Sequence, residues 1–125
     1  MIAIDSSSLI AYLGGDQGRD VEAIEFALME RQACLPPVVL TEIGSDPKLS
    51  QRIMASLGQI PLLELTAGYW ERAAVLRASI LARRMKAPLA DALIAQSCID
   101  HDVHLVTRDA DFGRFVQFGG LKLAI

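Results

Sequence analysis

Apolar and polar positions fall in blocks along this chain, and the blocks predict strands alternating with helices. Met1 to Ile4 is a continuous apolar run with two β-branched isoleucines, the pattern of a central parallel strand covered on both faces. Ser6, Ser7 and Ser8 then offer an N-cap to the helix carrying Leu9 to Leu13, and Gly14-Gly15 ends it. Between Asp20 and Arg31, Val21, Ile24 and Leu28 recur at helical spacing, with Glu22, Glu25 and Glu30 on other faces. Cys34 to Leu40, interrupted by Pro36-Pro37, predicts an irregular short strand carrying Val38 and Val39, with Glu42 at its end.

The second half continues the alternation. Asp46-Pro47 opens a helix that runs to Leu57 and stops at Gly58, and Ile60 to Leu65 predicts a third strand. Thr66 caps the longest helix, whose stripe of Trp70, Ala73, Leu76 and Ile80 faces the core while Arg72, Arg77, Arg83 and Arg84 fall elsewhere. Pro88 starts a helix with almost no polar face, which predicts deep burial. Val103 to Thr107 reads as a fourth strand, Asp109 to Phe115 as a helical turn, and Leu121 to Ile125 as a last strand. Strands separated by helices need crossovers, so the expected fold is a three-layer α/β/α sandwich with a mainly parallel sheet. No repeat or linker interrupts residues 1–125, which read as a single domain.

Composition sharpens this picture. At 52% hydrophobic and a mean hydropathy of +0.34, the chain implies helices buried on more than one side or an apolar surface covered by a partner, either a second copy or another protein. Its apolar runs are broken well short of the roughly 20 residues that span a bilayer, and Met-Ile-Ala-Ile-Asp lacks the basic flank of a signal peptide. A soluble, cytoplasmic protein is expected. Cys34 and Cys98 sit in apolar runs without metal-ligand spacing and read as buried free thiols.

The candidate chemistry lies in four acids placed where apolar runs end or turn. Asp5 closes the first run, Glu42 follows Val38-Val39-Leu40-Thr41, Asp91 stands in the first turn of the most apolar helix, and Asp109 closes His104 to Arg108. In a parallel α/β protein the carboxyl ends of the strands face one crevice, so these acids can meet there. Gathered carboxylates require a cation or protons, and an all-oxygen set suits Mg²⁺ or Mn²⁺. Such a site supports phosphodiester hydrolysis by metal-activated water, with Ser7 or Thr107 placed to hold a water or phosphate oxygen. The net charge of −3 argues against a polyanionic partner until the four acids are set aside, which leaves the balance slightly positive and dominated by nine arginines. Arg83, Arg84 and Lys86 form the densest basic cluster and Arg108 adjoins Asp109, which makes these four the candidates for contacts to nucleic-acid phosphates. His101 and His104 read as structural or exposed.

Taken in order, Ile-Ala-Ile-Asp-Ser-Ser, Thr41-Glu42, Ala90-Asp91-Ala92-Leu93-Ile94-Ala95 and Leu105-Val106-Thr107-Arg108-Asp109-Ala110-Asp111-Phe112 resemble the PIN-domain ribonucleases, most closely the VapC-type toxins of bacterial toxin–antitoxin pairs. The resemblance spans essentially the whole chain. It implies metal ligands at Asp5, Glu42, Asp91 and Asp109, a supporting hydroxyl at Ser7 or Thr107, and either a supporting carboxylate or a plain turn acid at Asp111. It further implies a Mg²⁺- or Mn²⁺-dependent endoribonuclease that cuts structured RNA such as tRNA and is held inactive by a cognate antitoxin, while the apolar composition implies a homodimer or an antitoxin-bound assembly. The chain departs from the family where Gly44-Ser45-Asp46-Pro47 breaks what is usually a long helix after the glutamate.

Three other readings share some of these features. A haloacid-dehalogenase-like phosphatase places Asp after its first strand but wants a second Asp where this chain has Ser7. A receiver-type signalling domain expects a lysine after a late strand, where Arg108 follows Thr107. A catalytically silent PIN-like module would bind RNA or protein without turnover.

Overall fold

The run Ile2–Ile4 forms the central strand, β1, of a three-stranded parallel sheet in a computed structural model that describes all of residues 1–125. β1 leads into helix α1 (Ser6–Leu13), and α2 (Arg19–Met29) returns the chain to β2 (Ala33–Cys34), parallel to β1 with Ile2 opposite Ala33. Four helices follow, α3 (Pro37–Gly44), α4 (Gln51–Leu57), α5 (Tyr69–Leu81) and α6 (Leu89–His101), before β3 (His104–Val106) pairs with the other edge of β1. A 3-10 turn at Ala110–Phe112 and helix α7 (Gly113–Gly119) complete the chain. The order β2-β1-β3 with helices between the strands is the expected α/β sandwich.

Four local expectations are corrected. Residues 37–44 are helical rather than a strand: Pro37 stands at the first helical position, where its missing N–H costs nothing, and Val39 and Ile43 are buried one turn apart. The helix expected from Asp46 begins only at Gln51, capped by Ser50, whose side chain accepts from the Ile53 N–H at 3.1 Å; the Asp46 carboxylate instead closes a turn onto Lys48 N–H. Ile60 to Leu65 and Leu121 to Ile125 contribute single bridges, Leu62 to Leu35 and Leu123 to Leu105, which extend the sheet at both edges. On α5 the buried stripe is Tyr69, Ala73, Leu76 and Ile80, whereas Trp70 is 61% exposed.

Ile4, Leu9, Ile24, Leu35, Ile80, Ile94, Leu105, Phe112 and Phe115 are fully buried. Each contributes roughly 1.5–3 kcal/mol of transfer free energy, and together they form one continuous core between the sheet and its helices. Cys34 and Cys98 lie in this core as free thiols, and burial pushes both up, Cys34 to about 11. No helix is long and apolar enough to cross a membrane.

Candidate metal centre

The carboxyl ends of β1 and β3 are adjacent because the two strands are parallel neighbours, with Ile4 opposite Val106. Asp5 therefore emerges beside Thr107, and the Asp5 backbone N–H donates to the Val106 carbonyl at 2.9 Å. Asp5 is buried, caps α1, and accepts hydrogen bonds at Oδ2 from Ser7 Oγ (2.6 Å) and Thr107 Oγ1 (2.8 Å). Thr107 Oγ1 in turn accepts the Asp109 backbone N–H at 3.0 Å, and Asp109 caps its own turn by accepting the Asp111 N–H at 2.9 Å. Both hydroxyl candidates are thus bound to Asp5.

Glu42 reaches the same region from α3, where Ser6 Oγ donates to its Oε1 at 2.6 Å. Ser6, unlike Ser7, was not singled out from the sequence; the serine run after Asp5 was its only signal. Asp91 comes from the first turn of the buried helix α6. It is half-buried, and no hydroxyl or amide donates to it. Burial raises its pKa most, and the charges of Asp109, Asp5, Glu42 and Asp111 raise it further, to about 6. The four predicted ligands therefore share one electrostatic neighbourhood, although no three of them are drawn into a common coordination shell. Asp5, Glu42 and Asp109 are each turned onto a local donor instead. The donor set is entirely oxygen, carboxylate and hydroxyl, and so fits a hard divalent cation.

Asp111 is exposed and stands 3.7 Å from Arg114, the geometry of a turn acid at the rim. Arg114, also missed in the sequence, donates to the Lys86 carbonyl at 2.7 Å and so joins the basic segment after α5 to this rim. Arg84 and Lys86 are exposed there, while Arg83 lies over the Phe118 ring at 4.2 Å and donates to the Ser79 carbonyl. Arg108 is held away from the crevice: its Nε donates to Asp20 Oδ2 at 2.7 Å and its Nη2 to Asp20 Oδ1 at 3.1 Å. This pairing, aided by Ser8, holds the Asp20 carboxyl down at about 2 against its burial. His101 meets the Glu64 carbonyl and His104 is exposed, as expected of both.

The model of the PIN domain family matches residues 2–116. No curated protein matches the chain significantly. Among solved structures, VapBC2 from Rickettsia felis bound to a DNA fragment from their promoter is 18% identical, with a TM-score of 0.70 over 98% of this chain and 97% of that one. FitAcB from Neisseria gonorrhoeae is 19% identical, with a TM-score of 0.70 over 98% and 96% of the respective chains. A toxin–antitoxin complex from Klebsiella pneumoniae is 19% identical, with a TM-score of 0.69 over 97% and 95%. At these identities the likeness is one of fold.

Proposed function

Because the chain belongs to the PIN domain family, we propose that it is a divalent-metal-dependent endoribonuclease and the toxin of a VapBC-type toxin–antitoxin pair, cutting structured RNA such as tRNA in the cytoplasm. The observation that carries this reading is Asp91, a half-buried carboxylate raised to about 6 and facing four further acids. A cluster of that kind is unfavourable by itself and becomes favourable around a cation, which supports a metal-binding role for it.

Asp5, Glu42, Asp91 and Asp109 would hold Mg²⁺ or Mn²⁺. Such an ion, when bound, lowers the pKa of water and neutralises charge on the scissile phosphate. The chain's own contribution is placement. Ser7 and Thr107 fix the Asp5 carboxylate, Ser6 steers Glu42, and the turn after Thr107 orients Asp109. Arg84 and Lys86, exposed on the segment that Arg114 ties to the rim, supply phosphate contacts without which RNA would be repelled by the acids.

Two surfaces support the partner proposals. A groove lined by Ile10, Leu13, Ile43 and Leu49 opens beside Glu42 and Asp46, which suits an apolar antitoxin segment carrying a basic residue. Trp70, Leu81 and Leu89 expose apolar surface where α5 and α6 meet, which suits a second copy of the chain.

The experiment is RNA cleavage by wild type and Asp91→Asn in Mg²⁺ or Mn²⁺, with and without chelator. Cleavage lost in the variant and on chelation supports the proposal. Cleavage indifferent to both ends it, and wild-type protein that binds RNA without any turnover favours the silent module.

A further inference from the structure

Arg108 stands between two members of the site yet faces away from it. Thr107 donates to Asp5 and accepts the Asp109 N–H, so both neighbours of Arg108 are engaged on the crevice side. In extended backbone successive side chains alternate sides. Asp109 is extended at φ −87° and ψ 111°, and Arg108 accordingly projects toward α2.

There it meets a prepared seat. Two of its nitrogens engage the two oxygens of Asp20 at 2.7 and 3.1 Å; Nη2 also reaches the Gln17 carbonyl at 3.4 Å, and Nη1 lies 3.5 Å from Asp16. Asp20 is only 7% exposed, and Ser8, fully buried on α1, donates to the same carboxylate at 2.8 Å. The backbone makes room for the pair at Gly18, whose φ is +147°; a Cβ there would stand 2.6 Å from Asp20 Oδ1. Groups on α1, α2 and the loop between them thus converge on the Arg108–Asp20 pair.

Resting on the metal-ribonuclease reading above, we propose that Arg108 is a positioning residue whose fork on Asp20 locks Thr107–Asp109 so that Thr107 holds Asp5 and Asp109 faces the acid cluster. A two-pronged Arg–carboxylate pair fixes both distance and plane, which a lysine's point charge does not. The lock works on the segment that follows β3: Arg108 anchors one side of it, and its neighbours act on the other. A residue spent in this way is not available as the phosphate contact that its place beside Asp109 suggested.

Arg108→Lys and Asp20→Asn test this, with three readouts: kcat and KM on RNA, Mn²⁺ affinity without RNA, and hydrogen exchange of the Asp109 amide in metal-free protein. Both variants should lower kcat and weaken Mn²⁺ binding by roughly tenfold, with KM nearly unchanged, as expected when a group that orients ligands is loosened. Exchange at Asp109 should accelerate about as much, because its acceptor Thr107 is freed, while β1 and β3 amides stay protected. If Asp20→Asn loses that core protection, Arg108→Lys, which keeps opposite charges in place, carries the same readouts. A rise in KM with kcat and Mn²⁺ affinity unchanged, confined to Arg108→Lys, would identify a phosphate contact and overturn the proposal. So would unchanged Asp109 exchange in both variants. If wild type neither cleaves RNA nor binds Mn²⁺ while exchange still accelerates, the ribonuclease reading falls and the lock stands.

Discussion

Thr107 Oγ1 donates to Asp5 Oδ2 at 2.8 Å and joins two residues 102 positions apart at the ends of neighbouring parallel strands. The bond places a hydroxyl between two acids of the centre, since the same oxygen accepts from the Asp109 N–H. Thr107→Val should cost about 1–2 kcal/mol in urea unfolding, the usual penalty for leaving a part-buried polar group unpaired. It should also cut RNA cleavage by about tenfold or more, because Asp5 and Asp109 both lose a fixed neighbour. Thr107→Ser, which keeps the hydroxyl, should recover most of both.

Asp91 destabilises the metal-free folded protein at neutral pH. Its pKa, raised by burial first and by the neighbouring acids after it, stands near 6 in the folded protein against an ordinary 3.8. The folded state therefore carries a penalty above pH 6 that fades as the pH falls through 6 towards 4. In chelator at pH 7, Asp91→Asn should be more stable than wild type by about 1–2 kcal/mol, allowing for the half exposure of the group, and the gap should close near pH 4. Paired urea titrations at the two pH values measure it. A variant less stable than wild type at pH 7 would contradict the account.

Asp20 behaves in the opposite sense. Its folded pKa, held near 2 by Arg108, lies below the ordinary 3.8, so its contribution is complete above pH 4 and is lost as the pH falls towards 2. Asp20→Ala should lose about 2–3 kcal/mol at pH 7, since it strands the buried Ser8 hydroxyl and the Arg108 fork. The difference from wild type should shrink steadily between pH 4 and pH 2.

Added Mn²⁺ should raise the unfolding temperature of wild type, by the equivalent of about 2.7 kcal/mol at a hundred times the dissociation constant. Asp91→Ala should show little of that rise. Equal shifts in the two proteins would mean that the ion binds elsewhere.

Much of this arrangement is legible in the sequence, and the rest is not for identifiable reasons. The strand at Ile2–Ile4, the buried helix at Leu89–His101 and the strand before Thr107 follow from apolar runs and their stops, and these carry Asp5, Asp91 and Asp109. Glu42 was placed after a strand because Val38-Val39 is β-branched; Pro37 at the first helical position was the better guide, and the helical spacing of Val39 and Ile43 agrees with it. Ala73, Leu76 and Ile80 of the expected α5 stripe are buried, but at its start Tyr69, whose hydroxyl donates to the Leu93 carbonyl, goes inside in place of Trp70. The pairings of Ser6 with Glu42 and Arg108 with Asp20 join residues 36 and 88 apart, and no local pattern selects such partners.

Diffraction at the manganese absorption edge from crystals grown with Mn²⁺ tests the central claim most directly. The account predicts an anomalous peak about 2.0–2.4 Å from carboxylate oxygens of Asp5, Asp91 and Asp109, with Glu42 reaching it directly or through water. A peak on unrelated acids, or an undisturbed cluster at saturating Mn²⁺, would contradict it.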